Sequence, residues 1–288
     1  MAKTMPSPSL LIFLLLATAV SYTSSHSHST SVDSFIFAGC TQQKYSSDSP
    51  YSSNLQALLT SLLSSATYSS YSNFTVLGSS AVYGLYQCRG DLSMPDCSSC
   101  VSHSLSRLSA LCPSTCGAAV QLDGCFVRYD NATFVGVEDK TVVFKKCGPS
   151  AGSSSTSSSN DMGSTEAVLA GLSGSAGYFR VVGSGNVQGV AQCSGDLAFD
   201  QCRDCLSEAI RRLKSDCGSA NYGDMFLGKC YARYSVGGAH AYEPKAHGKS
   251  KNGGEKTFVI IIGLLAGLAV LVIFLAFLKS ICTRGHGK

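Results

Sequence analysis

Leucines at positions 55, 58, 59, 62 and 63 recur at the helical period, so Asn54 to Ala66 reads as a first amphipathic helix. Pro95 opens a second one, carried by Val101, Leu105, Leu108 and Leu111. About a hundred residues later the pair returns, at Thr165 to Leu172 and at Phe199 to Lys214. Between them Ala81–Cys88, Ala118–Tyr129 and Thr141–Lys146 are rich in β-branched and aromatic residues with Gly at the turns, and read as strands. Two helices lying on an antiparallel sheet, twice over, is the economical α+β arrangement for this pattern.

Two apolar runs stand outside it. Leu10 to Leu16 follows Lys3 and precedes the small residues Ala17-Thr18-Ala19, the layout of a signal peptide (1–25, with cleavage between 19 and 30). It is too short to span a bilayer. Phe258 to Leu278 is an unbroken run of 21 apolar or small residues bracketed by Lys256 and Lys279. At the helical rise of about 1.5 Å per residue it reaches roughly 30 Å, the thickness of a hydrocarbon core. Together they predict a type I single-span protein: an extracytoplasmic tandem, a stalk at 236–257, the span at 258–278 and a cytosolic tail at 279–288. A lipid-anchor signal is the competing reading, and the basic residues after the span argue against it. So short a tail folds into no kinase or other domain. The net charge of +4 is small and scattered, with no dense basic stripe, and gives nucleic-acid binding no support. His26 and His28 sit in a Ser-rich spacer and supply too few fixed ligands for a metal.

The cysteines set the domain count. Cys40, Cys88, Cys97, Cys100, Cys112 and Cys125 recur as Cys147, Cys193, Cys202, Cys205, Cys217 and Cys230. The offset is 107 residues for the first of these and 105 for each of the other five. In an oxidising compartment such thiols pair, and domains this small need stapling. Cys97-x-x-Cys100 and Cys202-x-x-Cys205 also carry zinc and redox spacing. Zinc needs further ligands close by, and a third cysteine nine residues before each motif fits a disulfide framework better. Of the 14 cysteines two lie outside the ladders. Cys282, just past the span, is either a palmitoylation site or an idle thiol. Cys116 corresponds to Asn221; it is a free thiol, competes with Cys112 for Cys40, or bridges to another chain.

Other residues keep step with the ladder. Gly90-Asp91-Leu92 returns as Gly195-Asp196-Leu197, and Cys125-Phe126-Val127-Arg128-Tyr129 as Cys230-Tyr231-Ala232-Arg233-Tyr234. The Ser-rich run from Ser150 to Ser159 then falls inside the second repeat and is a loop rather than a linker. The domains become 33–146 and 147–235, with Val142, Val143 and Phe144 in the last strand of the first. So short a junction favours a packed, rigid pair. Sequons at Asn73-Phe74-Thr75 and Asn131-Ala132-Thr133 belong on exposed loops if used. Gly263 and Gly267 form a GxxxG that lets two spans approach closely.

The repeated spacing Cys88-x8-Cys97-x2-Cys100 and Cys193-x8-Cys202-x2-Cys205 resembles the plant ginkbilobin-like, or stress-antifungal, cysteine-rich domain. Two such domains with a signal peptide, one span and a minimal tail resemble the plasmodesmata-located proteins. Gly185-Asn186-Val187-Gln188-Gly189-Val190-Ala191-Gln192-Cys193 and the Cys147-Gly148-Pro149-Ser150 opening look like that subfamily. The resemblance implies two disulfide-stapled domains, each two helices on a five-stranded antiparallel sheet. It implies the pairs Cys40–Cys112, Cys88–Cys97 and Cys100–Cys125, then Cys147–Cys217, Cys193–Cys202 and Cys205–Cys230. Closing the long Cys40–Cys112 loop stabilises by roughly 4 kcal/mol on the chain-entropy view.

The implied function is non-enzymatic: to restrict cell-to-cell traffic at plasmodesmata from the plasma membrane, with links to callose and defence. Implied partners are other membrane or apoplastic proteins, lateral homo- or hetero-association, and viral movement proteins; no cofactor is implied. The alternative is an ectodomain that binds cell-wall glycan as a co-receptor in apoplastic defence. A single-domain antifungal relative binds mannose through an Asn, an Arg and a Glu. Here those places hold Thr41, Ala119 and Asp130, and in the second repeat Gly148, Asp224 and Ser235. Without the cation and the amide that hydrogen-bond set is not reproduced. No paired carboxylates or Ser/His/Asp set stands out, and His103 alone reads as a surface histidine.

Overall fold

A computed structural model describes residues 31–150, 159–174 and 176–237. The expected signal peptide and span, most of the Ser-rich loop, Gly263, Gly267 and Cys282 lie outside the described residues, as does the expected stalk beyond Gly237. Val236, expected to open that stalk, instead ends the last strand, paired with Val187. No helix among the described residues is long and apolar enough to cross a membrane.

The first domain has strands β1 (Phe35–Cys40), β2 (Tyr71–Val76), β3 (Val82–Cys88), β4 (Gly117–Leu122) and β5 (Cys125–Asp130), in the order β1-β4-β5-β3-β2. Helices α1 (Pro50–Ser65) and α2 (Met94–Leu111) cover one face. The second domain repeats the plan with β6 (Val142–Cys147), β7 (Phe179–Ser184), β8 (Val187–Cys193), β9 (Tyr222–Leu227) and β10 (Cys230–Val236), in the order β6-β9-β10-β8-β7. Its helices are α3 (Ser159–Gly174) and α4 (Phe199–Cys217). All pairs are antiparallel.

Local chemistry accounts for the elements. Ser49 caps α1 ahead of Pro50, whose fixed φ suits a first turn. Tyr51, Leu55, Leu58, Leu62 and Ser65 form its buried stripe. The buried face of α2 is Cys97, Cys100, Val101, Ser104 and Leu108, whereas Leu105 is half-buried and Leu111 is exposed. The disulfide to β5 turns the helix this way: Ser104 Oγ lies 3.3 Å from Cys125 Sγ. The stretch 118–129, expected as one strand, is a hairpin, because Asp123-Gly124 is a two-residue turn signal between β4 and β5.

Six disulfides close the two domains in the same way. Cys40–Cys112 and Cys147–Cys217 tie the first strand of each sheet to the end of the long helix. Cys88–Cys97 and Cys193–Cys202 tie a central strand to its start, and Cys100–Cys125 and Cys205–Cys230 pin it to the neighbouring strand. Each domain buries its own core between helices and sheet.

The boundary at 146/147 needs correction. Strand β6 pairs with β9 from Val142↔Leu227 to Cys147↔Gly223, so it opens the second sheet instead of closing the first. It is the counterpart of β1, which runs into Cys40 and carries a bulge at the same place. The ladder counts cysteines and is blind to the strand that leads into the first one. The connection between the sheets is therefore 131–141.

Candidate functional site: the interdomain face

Side chains alternate across a strand, so half of each sheet points away from its helices. On β5 the buried Cys125, Val127 and Tyr129 face the helices, and Phe126 and Arg128 face the other way. On β10 Tyr231 and Arg233 take the equivalent places. These faces meet. Leu85, Val190 and Phe226 are buried there although they belong to neither helix-side core.

The contacts are reciprocal, as in an isologous interface. Phe37 of β1 stacks on its counterpart Phe144 of β6 at 5.9 Å, and Phe226 packs edge-on against both, at 5.8 and 6.0 Å. Tyr71 and Phe179 sit opposite Gln87 and Gln192 in their sheets. A Cβ on Gly195 would lie 2.8 Å from Tyr71, and one on Gly90 would lie 2.5 Å from Phe179. That close approach is why Gly-Asp-Leu occurs at both places. Gly195 N–H donates to Gln87 Oε1 (2.9 Å), and Gln192 Nε2 donates to the carbonyl of Cys88 (2.9 Å).

A chain of charges crosses the same face. Arg89 pairs with Asp91 at 2.7 Å and with Asp123 at 2.5 Å. Asp123, in the β4–β5 turn, also takes Arg233 of β10 at 2.5 Å, and Arg233 in turn holds Asp224 at 2.7 Å. Burial alone would lower the Arg233 pKa, but the carboxylates of Asp224 and Asp123 outweigh it and raise it. The connection is strapped down beside this chain. Phe134 lies between Arg128 (4.2 Å) and Lys229 (5.2 Å), and its carbonyl accepts from Lys229 Nζ at 2.8 Å. Lys229 is also paired with Asp196, which accepts from Gly136 N–H at 2.8 Å. Burial works to raise the Asp196 pKa, yet Lys229 and these hydrogen bonds hold it below the usual carboxylate range.

The residues singled out by sequence do not converge on one place. Cys116 is a buried free thiol whose pKa is raised by burial. The segment 41–45, bridged at Lys44 to Thr115, covers it, with Cys116 N–H donating to the Gln43 carbonyl at 2.8 Å and the Tyr51 hydroxyl donating to the Cys116 carbonyl at 2.5 Å. Asn131 is exposed beyond β5 and donates to Gln43 Oε1 at 3.0 Å. Asn73 is exposed too, but on edge strand β2 and not on a loop, donating to Tyr71 at 2.8 Å. His103 Nδ1 lies 3.0 Å from Asp33, with its side chain 55% exposed.

The positions matching the mannose-binding set do not open onto a pocket of that kind. A Cβ on Gly117 would meet Thr41 at 2.7 Å and Asp130 at 3.1 Å, so those two are packed across a glycine. Ala119 looks onto the interdomain face, and Asp224 is consumed by Arg233. The charge network itself went unrecognised in the sequence. Its signal was present in the repeated Cys-x-x-Arg-Tyr, where the strand period puts Arg and Tyr on opposite faces.

Known proteins agree with this geometry. The family described as salt stress response/antifungal matches residues 39–132 and 146–237. Plasmodesmata-located protein 7 of Arabidopsis thaliana is 56% identical over 280 residues, covering 96% of this chain and 92% of that protein. Plasmodesmata-located protein 6 of the same plant is 51% identical over 271 residues, covering 90% and 92%. A solved structure, the tandem DUF26 ectodomain of the Arabidopsis thaliana cysteine-rich receptor-like protein PDLP5, is 46% identical with a TM-score of 0.67. It covers 71% of this chain and 100% of its own, so in that relative the tandem folds as an isolated piece. With two such domains joined face to face and these relatives along nearly its whole length, the chain belongs to the plasmodesmata-located protein family.

Proposed function

We propose that the chain is a non-enzymatic type I protein of the plasma membrane at plasmodesmata that regulates cell-to-cell trafficking through them. The interdomain face carries this proposal. It fuses two small domains into one stiff body, as a protein working by contact requires, and commits its charged groups to each other. The relatives are named for a location and for receptor-like ectodomains, and the matching family is described as salt stress response/antifungal.

In this scheme residues 1–25 are removed, the chain that follows β10 forms a stalk up to residue 257, and 258–278 span the bilayer. Gly263 and Gly267 bring spans together, and Cys282 takes a lipid at the cytosolic face. Glycans on Asn73 and Asn131 cover parts of the first domain and leave the second as the barer contact surface. Callose deposition in defence and docking of viral movement proteins are the downstream roles in keeping with it.

A fluorescent fusion in plant epidermis, combined with the spread of a diffusible reporter, tests the proposal. Puncta at cell junctions and a changed spread on overexpression are expected. A uniform plasma-membrane signal with unaltered reporter movement contradicts it.

A further inference from the structure

The interdomain face is nearly symmetric, and one place breaks the symmetry. Strand β9 brings Asp224 and Phe226 to it, whereas β4 brings Ala119 and Gln121 at the equivalent positions. An alanine methyl in place of a carboxylate, and an amide in place of a phenyl ring, leave space. The result is a cavity of about 110 Å³ walled by Phe37, Phe126, Phe226 and Tyr231, with Ala119 and Gln121 on the β4 side. Phe226, stacked on Tyr231 at 5.0 Å, is 2% exposed, so the accessible aromatic surface comes from the half-exposed Phe37, Phe126 and Tyr231. Pockets for small ligands favour domain interfaces. The volume is below the roughly 150 Å³ that encloses a benzene ring, but the pocket is open on one side, so a ring seats without being enclosed.

The polar groups around it decide what fits. Arg89 is held by Asp91 and Asp123 and Lys229 by Asp196, while Arg128 keeps one pair, to Asp130 at 3.4 Å, and lies over the Phe134 ring. Gln87 gives its amide to the Ser70 and Cys88 carbonyls and takes Gly195 N–H on its oxygen. Gln192 gives to the Cys88 carbonyl and accepts from Tyr231. Gln121 is different. Its Nε2 donates to the carbonyls of Leu122 (2.7 Å) and Cys125 (3.2 Å), which fixes the amide orientation and leaves Oε1 without a donor among the described residues. A sugar needs several partners at once and finds one here.

We propose that this cavity binds a small neutral aromatic ring carrying a single hydrogen-bond donor, phenol being the simplest. The ring lies among Phe37, Phe126 and Tyr231, and its hydroxyl donates to Gln121 Oε1.

The test is calorimetric titration of the ectodomain, residues 31–237, with phenol, toluene and glucose. Phenol should bind, toluene about tenfold more weakly for want of the donor, and glucose not at all. Ala119→Leu fills the space and should abolish phenol binding with melting temperature kept or raised. Gln121→Leu should reduce phenol to the level of toluene. Absence of phenol binding up to its solubility limit overturns the proposal, as does preferential binding of glucose. Binding that survives Ala119→Leu in a folded protein also overturns it. Should Ala119→Leu not fold, the phenol-to-toluene ratio on the unaltered protein decides, and equal affinities overturn the assignment.

Discussion

The two domains match inside and differ outside. Their disulfides, strand orders and buried helix stripes correspond position by position. Their helical surfaces do not. Helix α1 carries no charged residue, and α2 carries only Asp96, His103 and Arg107. Helix α4 carries Asp200, Arg203, Asp204, Glu208, Arg211, Arg212, Lys214 and Asp216, laced by pairs such as Arg212–Glu208 at 2.5 Å and Lys145–Asp216 at 2.9 Å. The fold therefore constrains the face between sheet and helix, and leaves the outer face free to be hydroxylated and neutral in one domain and ionic in the other. The interdomain face is intermediate: its aromatic and glycine contacts are reciprocal, but its cations are not equally committed. Arg233 bridges two carboxylates and is almost wholly buried, while Arg128 makes one pair at 3.4 Å and is a quarter exposed.

That inequality gives the largest expected effect. Arg233→Met takes the cation between Asp224 and Asp123, leaving Asp123 with Arg89 alone, and should cost about 3–5 kcal/mol, whereas the equivalent Arg128→Met should cost roughly 1 kcal/mol. Urea unfolding of the two variants side by side measures it; equal losses would erase the distinction between the halves. Next come the glycines. Gly90→Ala and Gly195→Ala each press a methyl into an aromatic ring of the other domain, and each should destabilise by about 1–3 kcal/mol. Reciprocity predicts similar values, so a large loss from one and none from the other would show a one-sided contact.

Acid gives a smaller, graded effect. Asp196 has its pKa depressed in the folded state, so its contribution is present above the unfolded value of about 3.9 and is lost as pH falls through the lower, folded value. Thermal melts should therefore keep the Lys229–Asp196 strap through pH 5, and Asp196→Asn should lower stability at pH 6 more than at pH 3. A larger effect of that substitution at pH 3 would reverse the sign. The smallest effect belongs to the outer surface. Glu208, held down to about 2 by Arg211 and Arg212, is on an exposed helix. Glu208→Gln should cost under about 1 kcal/mol and lose even that in high salt. Serine-to-alanine changes on α1 should show no salt dependence at all.

Much of this was legible in the sequence, and the failures have physical causes. The helical period of α1 and the repeated cysteines located the helices and the two domains. Strands β1 and β2 went unread because a six-residue strand with one buried face gives little signal, and Tyr71–Val76 is interrupted by Ser and Asn. The boundary was misplaced because β6 lies upstream of the cysteine that marks its repeat. Of the leucines that mark α2, Leu108 is buried, Leu105 packs partly against the core and Leu111 at the helix end is exposed, a gradation that the period alone does not show. The charge network was hidden for a different reason. Arg, Asp and Lys on a strand read as a solvated face until a second sheet covers them, and only the three-dimensional pairing supplies that second sheet.

Scanning calorimetry of the ectodomain tests most directly whether the two domains act as one body. One transition is expected, with calorimetric and van't Hoff enthalpies equal, and it should separate into two in Arg233→Met. Two resolved transitions in the unaltered protein would contradict the account.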